Sequence, residues 1–193
     1  MWMILKNLWR RKTRTLLTAL GIAVGVGAVV SLSAFGEGFA SGFESLLSSG
    51  DADLMVSEED AMMAMLSAVD QEVGDELLTM PGIDDVAATI VAFVQMPDAP
   101  YFTVMGEDPR GSPIEHYRVI SGSRLSGRKQ MLLGKIAAEN FGKAVGETFR
   151  LNGSTFRVVG IYETGTAMQD GGAVISVSDA QRVFDMRDKV NYF

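Results

Sequence analysis

Residue types able to do chemistry are sparse in this chain, and their spacing argues against most reactions. A phosphate-binding loop needs Gly-x-x-x-x-Gly-Lys-Ser/Thr, because backbone N–H groups cradle the phosphates while the lysine and hydroxyl reach the terminal oxygens and the metal. Gly122 and Gly127 have the glycine spacing, but Arg128-Lys129-Gln130 follows and the pattern fails. Gly25-Val26-Gly27 opens a dinucleotide fingerprint, yet Val30 stands where its third glycine belongs. His116 is the only histidine and there is no cysteine. A thiolate metal site, a thiol nucleophile and a disulfide are therefore excluded, and zinc would have one imidazole and carboxylates alone.

The remaining candidates read as structure. Glu58-Glu59-Asp60 lacks the spacing of a calcium loop and fits solvated surface. Met62, Met63 and Met65 suggest a soft-metal ligand set, but apolar packing explains them without help from histidine or cysteine. Gly-x-Ser-x-Gly does not occur. Asn152-Gly153-Ser154 matches a glycosylation sequon, and a tight hairpin turn accounts for the Asn-Gly pair equally well. No residue is assigned a catalytic, cofactor-binding or metal-ligating role. The expectation is a protein that is not an enzyme and carries no cofactor.

The elements that would have to position any site divide the chain in two. Up to Gly36 the only charged side chains are Lys6, Arg10, Arg11, Lys12 and Arg14, whereas all 24 acids lie beyond, and the chain as a whole carries −7. Between Arg14 and Arg110 there is no lysine or arginine. Such asymmetry points to two environments. The acidic body also lacks the basic face that displaces counterions from nucleic acid, so nucleic acid is not expected as a partner.

The run from Thr15 to Gly36, TLLTALGIAVGVGAVVSLSAFG, holds no charge. As a helix it spans about 33 Å, close to the roughly 30 Å of bilayer hydrocarbon. Lipid leaves no other way to satisfy its backbone, so a transmembrane helix is expected over 15–36, continuing to about 48. Bases just before it place the N-terminus in the cytoplasm and the rest outside. Two readings compete: a cleavable signal peptide with a small-residue site near Ser31-Leu32-Ser33-Ala34, and a buried soluble helix. The length exceeds a usual signal core, and Gly21, Gly25 and Gly27 would weaken a helix in water. Gly21-x-x-x-Gly25 also fits a helix-packing face in lipid. Ahead of the span, Met1–Lys12 (MWMILKNLWRRK) has Trp2, Leu5 and Trp9 at helical spacing and fits a short interfacial helix within a basic cytoplasmic segment, 1–14.

For the extracytoplasmic domain, 51–193, periodicity predicts α+β structure: a mixed sheet with short helices on one side. Strands are expected at Ala52–Val56, Ile83–Gln95, Tyr101–Met105, Tyr117–Ile120, Gln130–Leu133, Thr148–Leu151, Thr155–Tyr162, Ala173–Val177 and from Val190 onward. Helices are expected at Val69–Met80, Lys135–Phe141 and from a capping box at Ser178-Asp179-Ala180-Gln181 to Met186. Glu58–Met65 reads as helix or loop, Pro97–Pro100 as a turn, and Glu107–Gly111 as loop.

Taken in order, these features resemble a known family. Asn7-Leu8-Trp9-Arg10-Arg11-Lys12-Thr13-Arg14 and the following Thr15–Val26 are similar to the first segment of MacB-like/FtsX-like ABC transporter permeases. Met80-Pro81-Gly82-Ile83-Asp84-Asp85-Val86, Val104-Met105-Gly106-Glu107-Asp108-Pro109, Ile120–Leu125, Leu133-Gly134, Ala144–Thr148 and Phe156–Ile161 resemble its extracytoplasmic core. The resemblance implies a permease that sits in the lipid bilayer as a dimer with a second permease subunit. It would work with a cytoplasmic ATP-binding subunit and have no ATPase activity of its own. Its outer domain would relay ATP-driven movement to cargo or partners outside, in the manner of relatives that export macrolides, peptides or lipoproteins. The family's three further transmembrane helices are missing, so the chain is expected to be a fragment of a longer permease or a separately encoded half. The alternatives are a membrane-tethered binding or regulatory module without transport, and a secreted enzyme with a cleaved signal.

Overall fold

The computed structural model describes residues 12–47, 53–96 and 99–193 and divides them between two compact units, one ending at Glu44 and one beginning at Ser45. The expected interfacial helix of Met1–Lys12 lies almost wholly outside the described residues, as do Ala52 and the Pro97-Asp98 pair.

The first unit is built on one helix, α1 (Lys12–Leu47). It holds no proline, and its glycines are tolerated where lipid leaves the backbone no competing partner. Consecutive turns expose their large apolar side chains all round, from 58% at Val26 to 74% at Leu32. An uncovered apolar helix of this kind fits an apolar solvent such as the bilayer interior.

The second unit is α+β. Its strands are β1 (Val69–Asp70), β2 (Ile90–Met96), β3 (Ala99–Glu107), β4 (Arg118–Gly122), β5 (Gln130–Gly134), β6 (Thr148–Leu151), β7 (Ser154–Glu163), β8 (Ala173–Ser176) and β9 (Lys189–Val190). Between them run α2 (Glu72–Leu78), α3 (Lys135–Phe141), α4 (Ala167–Asp170) and α5 (Val177–Val183). The main sheet has the order β2-β3-β8-β5-β7-β4, with β6 also on β7, while β1 and β9 form a separate pair. β3/β8 and β5/β7 are parallel and the other pairs antiparallel, so the sheet is mixed.

Burial explains the order. Met131, Leu132 and Leu133 of β5, and all of β8, are buried, as an apolar run without alternation requires of strands covered on both faces. β6 and β7 alternate buried and open positions because one face meets solvent. Phe102, Phe141 and Phe149 interlock with ring centroids 5.3–5.5 Å apart beneath α3. The expected hairpin forms: Asn152 and Gly153 take φ of 43° and 81°, the double positive φ of a type I′ turn.

Several expectations need correction. Val69–Asp70 is strand rather than the start of a helix, because its backbone pairs with Lys189–Val190, more than a hundred residues on. Only Glu72–Leu78 of that stretch is helical. Strand structure begins at Ile90 rather than Ile83; Asp85 instead accepts bonds from the Val86 N–H and the Ser112 hydroxyl. In the expected strand Ala52–Val56, of which 53–56 are described, Val56 exchanges two backbone bonds with Phe193 and no strand forms. Of the two expected forms of Glu58–Met65, helix or loop, the structure takes the loop, ending in a 3₁₀ turn at Ala64–Leu66 that buries Met65. Glu107 is the last residue of β3, not loop. The cap of α5 lies two residues early: the Asp179 N–H donates to Ser176 Oγ at 3.2 Å, and that hydroxyl donates to Asp179 Oδ2 at 2.9 Å. Ser176 wins because β8 delivers it in extended conformation, which an N-cap requires.

Candidate functional site

Within the first unit the candidate is α1 itself. Residues Lys12–Gly38 make one helix long and apolar enough to cross a membrane, by length and composition. Its charges sit at the ends, Lys12 and Arg14 at one and Glu37 at the other. Thr18 buries no polar demand, since its hydroxyl donates to the Arg14 carbonyl one turn back, at 2.9 Å.

In the second unit, most residues with chemical potential are occupied by the fold. Gly122 has φ of +83°, and a Cβ there would run into the Val159 carbonyl, which accepts the Ser123 N–H at 2.9 Å. Its glycine serves close strand approach rather than phosphate binding. Lys129 has φ of 54°, and its N–H donates to Asp179 Oδ2 at 2.8 Å. His116 closes the 3₁₀ turn Ser112–His116 and is exposed. Glu58, Glu59 and Asp60 are exposed, and among the described residues no three metal-ligating side chains group together. Met62 and Met63 point to solvent while Met65 packs inward. The Asn152 side-chain amide donates to the Val183 carbonyl at 2.7 Å, tying the hairpin to α5.

Two polar arrangements could not be anticipated from spacing. On the surface, Glu163 of β7 receives Arg118 of β4 and Lys135 of α3, the latter at 2.9 Å. Hydrogen bonding to Lys135, then to Arg118, holds the Glu163 carboxyl below its usual range, and the same contact raises Lys135. Inside, Glu107 is 1% exposed, and its Oε2 accepts from Thr89 Oγ1 at 3.1 Å. Its Oε1 has no protein partner, and neither has the buried Tyr117 hydroxyl. Burial pushes the Glu107 carboxyl from 4.5 up to about 8, against the lowering effect of the Thr89 bond. Tyr117 and Tyr192 are raised as well, by burial first and then by the Glu107 charge.

A cleft of about 440 Å³ opens between α2, α5 and the loop after β3, lined in part by Asp75, Leu78, Asp108, Arg110 and Phe193. The Asp108 carboxylate accepts the Arg110 N–H at 2.9 Å and so orders its own loop.

Residues 15–193 match the sequence model of the family described as MacB-like periplasmic core domain. No curated protein matches. Among solved structures, the extracellular domain of the noncanonic ABC-type transporter YknZ from Gram-positive bacteria is similar at TM-score 0.55 and 16% identity. That likeness covers 72% of this chain and 79% of that one. The periplasmic region of MacB from Actinobacillus actinomycetemcomitans is similar at TM-score 0.53 and 12% identity, covering 72% of this chain and 70% of that one. At such identities these structural likenesses are of fold.

Proposed function

The chain belongs to the family of MacB-like periplasmic core domains, and on that premise we propose that it is a membrane-anchored component of an ABC-type transporter permease. The observation that carries this reading is the extent of the family match, which runs through the apolar helix as well as the outer domain. In this reading residues 1–14 are cytoplasmic, 15–36 cross the bilayer and 51–193 form the extracytoplasmic domain. The cluster Arg10, Arg11, Lys12 and Arg14 supports that orientation, because bases near a span stay on the cytoplasmic side.

Residues 1–193 hold no phosphate-binding loop, and in this reading a cytoplasmic ATP-binding subunit, separate or fused, supplies the nucleotide chemistry. A second permease subunit completes the complex. The outer domain passes movement across the membrane to cargo or partners rather than transforming a substrate. Its interlocked sheet suits that role, since packed cores transmit displacement rather than absorb it.

The test is purification of the tagged chain from its native membranes in mild detergent. Recovery of a stoichiometric subunit with an intact Gly-x-x-x-x-Gly-Lys-Ser/Thr loop, and of nucleotide hydrolysis with it, is the expected result. A chain recovered without any ATP-binding subunit would overturn the transporter reading and favour a tethered binding module.

A further inference from the structure

The last described residues of the outer domain are held by a set of long-range bonds that converge on Thr89. The Thr89 N–H donates to the Tyr192 carbonyl at 2.9 Å, and the Thr89 carbonyl accepts the Asn191 N–H at 3.0 Å. Beside it, the Asn191 side chain accepts the Val91 N–H and donates to the Ser67 carbonyl, each at 2.7 Å. Val56 and Phe193 exchange backbone bonds at 2.9 and 3.0 Å. Residues 189–193 thus clasp segments that begin more than a hundred positions earlier.

The side chain of the same Thr89 donates to Glu107, and Glu107 is where this clasp meets the main sheet. Its surroundings contain no compensating charge. Among the described residues its side chain has no ion pair and one hydrogen bond, the one from Thr89. The titratable groups facing it are phenols: Tyr117 ahead of β4, Tyr192 from the clasp and, behind Tyr117 at 5.0 Å between ring centroids, Tyr162 of β7. From the neighbouring β8 and α5, Ser176 and Asp179 are engaged with each other, and Asp179 also with Arg182 and the Lys129 N–H. Among the described residues no cation stands beside this carboxylate, and burial disfavours its charged form, so the neutral acid is the form the fold accommodates.

We propose that Glu107 is a proton-operated latch: as a neutral acid it lets Thr89 hold residues 189–193 against the sheet, and loss of its proton releases that clasp. Val190, Asn191 and Tyr192 are buried in the clasped form, but β9 pairs only with β1, outside the main sheet, whereas β5 and β8 are central strands of that sheet, so the clasp opens ahead of global unfolding. The released form exposes Glu107 to water and ionises readily, so proton and opening are linked.

The test is native-state amide exchange on the full chain in detergent, corrected for intrinsic rates, between pH 6 and 9. Protection at Val56, Thr89, Val91, Asn191 and Phe193 should fall about tenfold per pH unit up to pH about 8 and then level off, the signature of one linked proton. It should stay below the protection of Leu132 and Val174 throughout. In Glu107→Gln the same amides should be protected without a pH slope. A flat profile in the unaltered chain, a slope that survives in Glu107→Gln, or clasp amides exchanging only as slowly as Leu132 and Val174 would each overturn the latch. Carbon-detected titration of the Glu107 carboxyl in the unaltered chain keeps the test independent of the variant. A midpoint near 8 supports the latch, and one in the ordinary carboxylate range overturns it.

Discussion

Gly74 of α2 lies directly under the ring of Phe193: a Cβ added there would come within 2.5 Å of Phe193 Cε1. The contact joins the start of the outer domain to its last described residue, and it explains why a glycine interrupts a seven-residue helix. It also reverses the usual effect of removing a helical glycine.

Gly74→Ala should therefore destabilise the domain. The helix alone would gain about 1 kcal/mol from alanine, but overpacking against the partly buried Phe193 ring costs about 1–3 kcal/mol. A net loss of about 1 kcal/mol in chemical denaturation is expected. In a Phe193→Ala background the same substitution should become stabilising, and this change of sign in a double-mutant cycle assigns the effect to the ring.

Glu107 gives the outer domain a pH dependence whose sign is set by its raised value. Its unfolded-state carboxyl titrates near 4.5 and its folded one near 8. The folded state therefore binds the extra proton between those values. The stability contributed by the neutral acid is complete below about 4.5 and is lost as pH rises to about 8. Across that window the loss is on the order of 4 kcal/mol. Urea denaturation at pH 5 and pH 8 should show the unaltered chain weakening relative to Glu107→Gln, and equal slopes in the two would contradict the assignment.

Much of the architecture could be read from local pattern. The β6–β7 hairpin follows from Asn152-Gly153, whose backbone requirement is met within two residues. α3 ends at Gly142, where φ of 58° lets the Lys143 N–H reach back to the Ala138 carbonyl, a stop signal contained in one turn. The membrane helix is legible because lipid imposes one long uncharged run. What could not be read was long-range. Val69 and Asp70 have helical neighbours but pair with Val190 and Lys189. Glu107 looks like the start of a polar loop with Asp108-Pro109, yet its side chain meets Thr89, eighteen residues earlier, beside the paired strands β2 and β3. Nothing in its spacing distinguishes a buried acid from a solvated one.

For the helix, a single charge at its middle is decisive. Val24→Arg places a guanidinium at the centre of the span, at a cost of about 2.5–3.5 kcal/mol for insertion. The inserted fraction in isolated membranes should drop sharply, while Val24→Leu should leave it unchanged. Equal membrane recovery of both variants would mean that lipid is not the solvent of this segment.

The central claim is that this helix crosses the bilayer with the acidic domain on the outer side, and the absence of native cysteine makes it directly measurable. Single cysteines at Asn7→Cys, before the helix, and Glu59→Cys, in the exposed turn of the outer domain, are treated in intact spheroplasts with a membrane-impermeant maleimide. The account predicts labelling of Glu59→Cys at once and of Asn7→Cys only after permeabilisation. Labelling in the reverse order, or of both positions before permeabilisation, would contradict it.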